Sequence, residues 1–270
     1  MDAALVSAGP IPVRPRERAL VWELAKREVA GRYRGATLGV AWSLLQPFLM
    51  LVVYTVAFGH VLRARWPGAE DTADFALILF VGIIVHGFFA ECVGKSTALV
   101  AGNPSYVKRI LFPLEVLPWP ALLSALFHFA ANALVLAVFL LALGEPVPPT
   151  FLLLPAVMLP LALLAVGVMW MLAAVAVYVR DVGQVVGPVL TAMFFLSSAV
   201  VPPQVVPTSL RWVFELNPLT LIIDQSRAVA LRGELPDAGA LAIHALFAFA
   251  VFALGFAVFR RLRAGFADVL

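Results

Sequence analysis

Long apolar stretches alternate along this chain with short polar ones, on the length scale of a bilayer rather than of a soluble core. Six stretches, about Leu38–Leu62, Phe75–Val93, Val116–Leu143, Phe151–Tyr178, Val185–Val201 and Ala240–Phe259, cross or nearly cross a membrane by length, since its hydrocarbon core takes about 20 helical residues. Hydrocarbon offers no water to unpaired amides, so only helices or closed barrels traverse it, and unbroken runs of this length choose helices. The predicted fold class is an all-α integral membrane protein with six transmembrane helices. The fifth stretch is the shortest, and Pro202, Pro203 and Pro207 follow it. The next segment, Leu210–Val229, is too polar to span simply and predicts re-entrant or surface helices between spans five and six.

Ahead of the first span, Pro15–Arg34 interleaves Leu20, Val21, Leu24, Ala25 and Val29 with Glu17, Glu23, Lys26, Arg27 and Glu28 at helical spacing. Pro15 suits a first helical turn, and Glu23 with Arg27 and Glu28 with Arg32 stand at i,i+4. The pattern predicts a helix lying along the membrane interface, with Trp22 at headgroup depth. Lys26, Arg27, Arg32, Tyr33 and Arg34 belong to the same interface element, which either anchors the chain or braces a cytoplasmic partner. Gly31, Gly35 and Gly39 follow four residues apart, as a close-approach stripe or as the bend into the first span. The expected organisation is residues 1–36 as a cytoplasmic N-terminus with this helix, 37–263 as one transmembrane domain and 264–270 as a cytoplasmic tail.

Charge sets the orientation. Of 19 Lys and Arg, only Arg63, Arg65, Arg211, Arg227 and Arg232 fall on one side of the spans, and the rest fall on the other. That bias places both termini of a multi-pass membrane protein in the cytoplasm. The net charge of +3 reflects this inner collar and points to anionic lipid headgroups, with no nucleic acid implied. Composition agrees: 63% of residues are hydrophobic and 13% charged, at a mean hydropathy of +0.99. The single cysteine, Cys92, excludes an intrachain disulfide and a thiolate metal site. Met1–Pro15 carries no apolar core with a cleavage site, so insertion is expected to rely on the first span.

Few residues invite chemistry. The run C-V-G-K-S-T at Cys92–Thr97 imitates a phosphate-binding loop, but the glycine required five residues before Gly94 is Phe89. No catalytic or metal set emerges, so a nucleotide-hydrolysing or substrate-hydrolysing site is not expected and energy must come from an ion gradient or another subunit. A gradient-driven carrier is expected to bury paired ionisable groups at mid-membrane. The candidates are His86 and Glu91, five residues apart on the second span, and His128 and His244, read as lone imidazoles donating to carbonyls; they form no evident relay. A transferase would need clustered His or acidic residues at one interface, and these are scattered.

The inner loop Asn103–Pro118 carries more information. Asn103-Pro104 starts a turn or helix, Tyr106, Lys108, Arg109, Ile110 and Leu111 form an amphipathic turn, and Pro113 stops it. A short, partly apolar, basic helix between spans is suited to dock on a partner. Arg180 and Asp181, ahead of Gly183 and Gly187-Pro188, form a second, smaller docking corner. Among the aromatics, Trp42, Tyr54 and Phe58 lie on the first span, Phe88 and Phe89 on the second, Trp170 and Tyr178 on the fourth, and Phe194 and Phe195 on the fifth. They serve either as the aromatic belt or as a lining on which sugar rings slide.

The run R-E-V-A-G-R-Y-R-G-A-T-L-G-V-A-W-S-L-L-Q-P (Arg27–Pro47), the loop N-P-S-Y-V-K-R-I-L-F-P-L (Asn103–Leu114) and L-R-W-V-F-E-L-N-P-L-T (Leu210–Thr220), in that order, resemble the permeases of ABC-2 type polysaccharide exporters for O-antigen, capsule and teichoic acid. The resemblance covers the chain from Arg27 to Arg263. It implies a homodimer with a central channel, exporting a lipid-linked polysaccharide, with two copies of a separate ATP-binding subunit that hold ATP and Mg; this chain then carries no cofactor and no metal. It also implies that Asn103–Pro113 is the coupling helix, that Leu210–Arg227, with Arg211, Trp212, Glu215, Asn217 and Pro218, caps the outer end of the pore, and that the aromatics line the channel. A drug or lipid exporter of the same superfamily, which often has a longer outer region or a fused ATPase, is the nearest alternative.

Overall fold

The computed structural model describes residues 15–57, 72–107 and 112–270. All regular structure among them is helical. The principal helices are α1 (Pro15–Arg32), α2 (Trp42–Tyr54), α3 (Thr72–Ser96), α4 (Ala98–Ala101), α5 (Pro104–Val107), α6 (Pro118–Ala142), α7 (Leu154–Tyr178), α8 (Val182–Phe195), α9 (Arg211–Leu216), α10 (Pro218–Arg227), α11 (Ala238–Arg263) and α12 (Phe266–Val269).

Among the described residues, five helical segments are long and apolar enough to cross a membrane: Gly39–Ala57, Ala73–Ser96, Leu114–Ala142, Pro149–Tyr178 and Ala238–Arg263. The fifth expected stretch is shorter than its apolar sequence suggested. Helix α8 has 14 residues, about 21 Å at 1.5 Å per residue, against a hydrocarbon core of about 30 Å. Its end is set by Asn217, whose side-chain amide donates to the carbonyls of Met193 (2.8 Å) and Leu196 (2.9 Å). The Asn217 Oδ1 accepts from the Leu219 amide at 3.0 Å and so caps α10 as well. One buried asparagine therefore closes one helix and opens another, satisfying groups that helix ends leave orphaned.

Helix α7 is the hub, packed on α3, α10 and above all on α11. Where α7 and α11 cross, Gly167 and Gly255 let the backbones meet: a Cβ on Gly255 would lie 2.1 Å from the Gly167 carbonyl oxygen. Trp170 is fully buried, rings against Phe252 and Phe256 (centroids 5.1 Å each), and donates its indole N–H to the Glu115 carbonyl at 3.0 Å. By contrast α2 buries only Ser43 and Leu51, and α11 turns Ile243, Leu246, Phe247, Phe249 and Leu254 outward. The segment expected as a C-terminal tail is packed on the bundle. Phe266 is fully buried against Phe259 and Tyr178, and the Tyr178 hydroxyl donates to the Leu262 carbonyl at 2.7 Å.

Candidate functional site

Helix α1 lies against α6 with Val21 and Ala25 buried and Trp22 exposed. Its C-terminal half meets α3 and α6 through a network of charges centred on Glu91. The Glu91 carboxylate accepts from Lys95 Nζ at 3.0 Å, lies 3.1 Å from Arg32 Nη1, and stands 2.9 and 3.0 Å from His128 Nδ1. Lys95 Nζ also donates to Glu28 Oε1 at 2.7 Å. The spacing explains the match: Glu28 and Arg32 are one turn apart on α1, Glu91 and Lys95 one turn apart on α3, so two (i, i+4) pairs of opposite charge face each other.

The local pairs expected on α1 are therefore replaced. Glu28 and Arg32 pair with α3 rather than with each other, because α3 brings opposite charges to both. Glu23 pairs with Lys26 at 2.6 Å rather than with Arg27. The isolated reading of Glu91 and His128 is likewise corrected. What the sequence did carry was the complementary charge order of the two helices, which tells nothing until they are placed side by side. His86 does not join Glu91: its Nε2 lies 3.0 Å from the Leu190 carbonyl, and its ring is 4.7 Å from Phe194. His244 Nε2 meets the Pro218 carbonyl at 2.9 Å, as expected of a lone imidazole. Lys95 sits inside helix α3 with Gly94 and Ser96, so Cys92–Thr97 forms no phosphate loop.

Above this network, between α2, α3 and α6, opens a cleft of about 700 Å³. It runs from Lys95 to Phe80, about 22 Å along α3 at helical rise. Tyr33, Ser43, Gln46, Tyr54, Phe88 and Asn132 are among its walls. Burial raises the Tyr33 hydroxyl above its ordinary pKa. Of the aromatics expected in a channel, Tyr54 and Phe88 meet in this cleft. Phe89 is buried in the core, Trp42 is half-buried outside the cleft, Phe194 leans on His86, Phe195 is exposed, and Phe58 lies outside the described residues.

At the α1 end of the bundle lies the expected docking loop. Asn103 donates its side-chain amide to the Leu99 carbonyl at 3.1 Å, Pro104 is exposed at the start of α5, and Tyr106 stacks on Phe112 with centroids 4.5 Å apart. Lys108, Arg109, Ile110 and Leu111 lie outside the described residues. Just before α6 the loop passes through a 3-10 turn at Leu114–Val116, where Glu115 is buried and ion-paired with Arg263 at the end of α11. Arg180 and Asp181 are exposed between α7 and α8, and Gly183, just after them, lies near Thr97. Both expected docking elements thus reach the same end. On α1 the side chains of Lys26 and Arg27 are exposed, and in the turn after it Arg34 is exposed and Tyr33 buried.

At the opposite end, Arg211, Trp212 and Glu215 on α9 are exposed, Asn217 is buried and Pro218 half-buried. A residue not singled out from sequence organises this region. Arg227 is 4% exposed and donates Nε to the Ile78 carbonyl (2.9 Å) and Nη2 to the Ala199 carbonyl (3.1 Å), with Nη1 3.4 Å from Asp224. It ties α10 to α3 and to the turn after α8. An arginine this buried persists only when its donors are met.

The family model described as ABC-2 type transporter matches residues 19–231. The O-antigen export system permease protein RfbA of Myxococcus xanthus is 28% identical over 223 residues, covering 82% of this chain and 84% of the relative. A Klebsiella pneumoniae protein of the same name is 23% identical over 248 residues, covering 92% and 93%. The polysialic acid transport protein KpsM of Escherichia coli is 24% identical over 247 residues, covering 90% and 93%.

Proposed function

The chain belongs to the ABC-2 type transporter family, and from that premise we propose that it is the membrane subunit of an ATP-driven exporter of a lipid-linked polysaccharide, O-antigen foremost and capsule or teichoic acid next. The observation that carries the reading is the alignment of more than four-fifths of the chain with permeases named for exporting O-antigen and polysialic acid. The chain works in a bacterial inner membrane with both termini cytoplasmic. In that orientation α1 is the interface helix and the Asn103–Pro113 loop faces the cytoplasm. Helix α8 is then the fifth of six spans, completed through the membrane by the re-entrant α9–α10 segment. A homodimer is favoured by α2 and α11, whose apolar faces find little cover within one chain.

Energy enters through two copies of a separate ATP-binding subunit, which hold the ATP and Mg. Their closure on ATP presses the coupling loop. The loop leads directly into Glu115, whose pairing with Arg263 and whose carbonyl contact with Trp170 carry the displacement to α11 and α7. Replacing Ile110 or Leu111 with aspartate removes the apolar contact on which such a loop would dock. The expected result is at least a tenfold loss of export and of substrate-dependent ATPase activity, with normal insertion, measured in cells and in proteoliposomes. Unchanged export would remove the loop from the coupling route.

A further inference from the structure

Among the cavities of the described residues, two of similar size between the spans have linings that differ in kind. One, of about 620 Å³ between α6 and α7, is walled by side chains such as Leu126, Leu134, Met158, Leu159 and Leu163 and offers almost nothing polar. The other is the 700 Å³ cleft between α2, α3 and α6. Its walls hold Gln46, exposed on α2, and Asn132, half-buried on α6, whose amides have no hydrogen-bond partner among the described residues. His128, at the Glu91 end, is 8% exposed and spends its Nδ1 on Glu91. Polar groups left open within apolar spans are costly, so they mark a ligand path rather than packing.

The identity of the open groups selects the ligand. The cations of the cleft are already engaged: Arg32 and Lys95 are matched by Glu91 and Glu28, so no surplus positive charge remains to hold a phosphate. An acyl chain would leave the two amides unsatisfied, a penalty it avoids in the α6–α7 groove. Carboxamides both donate and accept, as hydroxyl groups do. Tyr54 and Phe88 add aromatic faces for the C–H faces of a sugar ring, and the volume falls in the range of small-molecule sites. Building on the exporter reading above, we propose that this cleft within each protomer holds uncharged, hydroxyl-bearing saccharide units of the exported glycan, hydrogen-bonded by Gln46 and Asn132.

The test uses the full exporter in its native host, with the chromosomal copy of this chain deleted and replaced by variants carrying a photoreactive residue. Met50 and Ile83, which line the cleft, and Leu159, in the apolar groove, are the three positions. Irradiation is expected to attach glycan at positions 50 and 83 and only phospholipid at 159. Adding Gln46→Leu with Asn132→Leu is expected to lower the glycan yield at position 83 at least fivefold, and Gln46→Asn with Asn132→Gln to recover part of it. If surface glycan depends on the chain but positions 50 and 83 take only phospholipid, or nothing, the cleft is not a saccharide site although the exporter reading stands. A yield at 83 unchanged by the leucine pair also overturns it. If deleting the chain leaves surface glycan unaffected, both readings fall together.

Discussion

Glu91→Leu is expected to loosen α1 from the bundle and to lower the unfolding temperature of the detergent-purified protein by several degrees. The carboxylate is only 14% exposed and is shared by Lys95, Arg32 and His128. Its removal leaves Lys95 with Glu28 alone and strands Arg32 beside an imidazole, and breaking a buried ion pair from one side costs about 3–5 kcal/mol. Arg32 and Lys95 retain 44% and 37% exposure, so solvent screening reduces the expected loss to about 2–3 kcal/mol. Glu91→Gln, which keeps the shape and an acceptor oxygen, should lose less than half as much. The local consequence is as specific as the global one: a cysteine placed at Ala25, buried against α6, should become reactive to a water-soluble maleimide in the leucine variant. An unfolding temperature within a degree of the parent, with position 25 still protected, would show that α1 is held by its apolar face alone.

The largest effect on stability is expected at the α7–α11 crossing. A Cβ on Gly255 would stand 2.1 Å from the Gly167 oxygen and 2.7 Å from its carbonyl carbon, and one on Gly167 would stand 2.6 Å from the Phe252 Cα. These are backbone atoms, which no rotamer change moves aside, so the helices must part and Trp170 loses its fit against Phe252 and Phe256. Overpacking of this kind costs about 1–3 kcal/mol for a single added methyl and more for larger groups. Gly255→Ala should fall in that range by thermal unfolding, and Gly255→Leu should not accumulate as monodisperse protein. Gly31→Ala is the matched control: nothing lies within 4 Å of its Cβ position, and α1 should gain about 1 kcal/mol of helix propensity. A monodisperse Gly255→Leu protein with an unchanged unfolding temperature would refute the crossing.

These two sites show what can be read from the chain before it folds. The helical class, the long spans and the Pro15–Arg34 helix follow from period and length, which are local properties. The length of α8 does not, because Val185–Val201 is apolar throughout and its helix is ended by an asparagine sixteen residues beyond that run. The Glu91 network was hidden for the same reason. Glu28, Arg32, Glu91, Lys95 and His128 come from three helices, and residue by residue each looks like ordinary interface charge or a lone imidazole. Ring content says nothing of direction: within one chain Phe89 is buried in the core while Tyr54 and Phe88 reach one cleft. Arg227 passed as one of the few outer cations, although its depth makes it the tie between α3, α10 and the turn after α8.

The central claim is that this chain moves a glycan by borrowing the ATPase of another subunit. It is tested most directly by purifying the tagged chain from its native membrane and assaying ATP hydrolysis with and without the host's lipid-linked glycan. The exporter account predicts a stable complex of two copies of this chain with two of an ATP-binding subunit, with hydrolysis that rises when the glycan is added. A chain that purifies without any ATPase, or with one whose activity ignores the glycan, would contradict it.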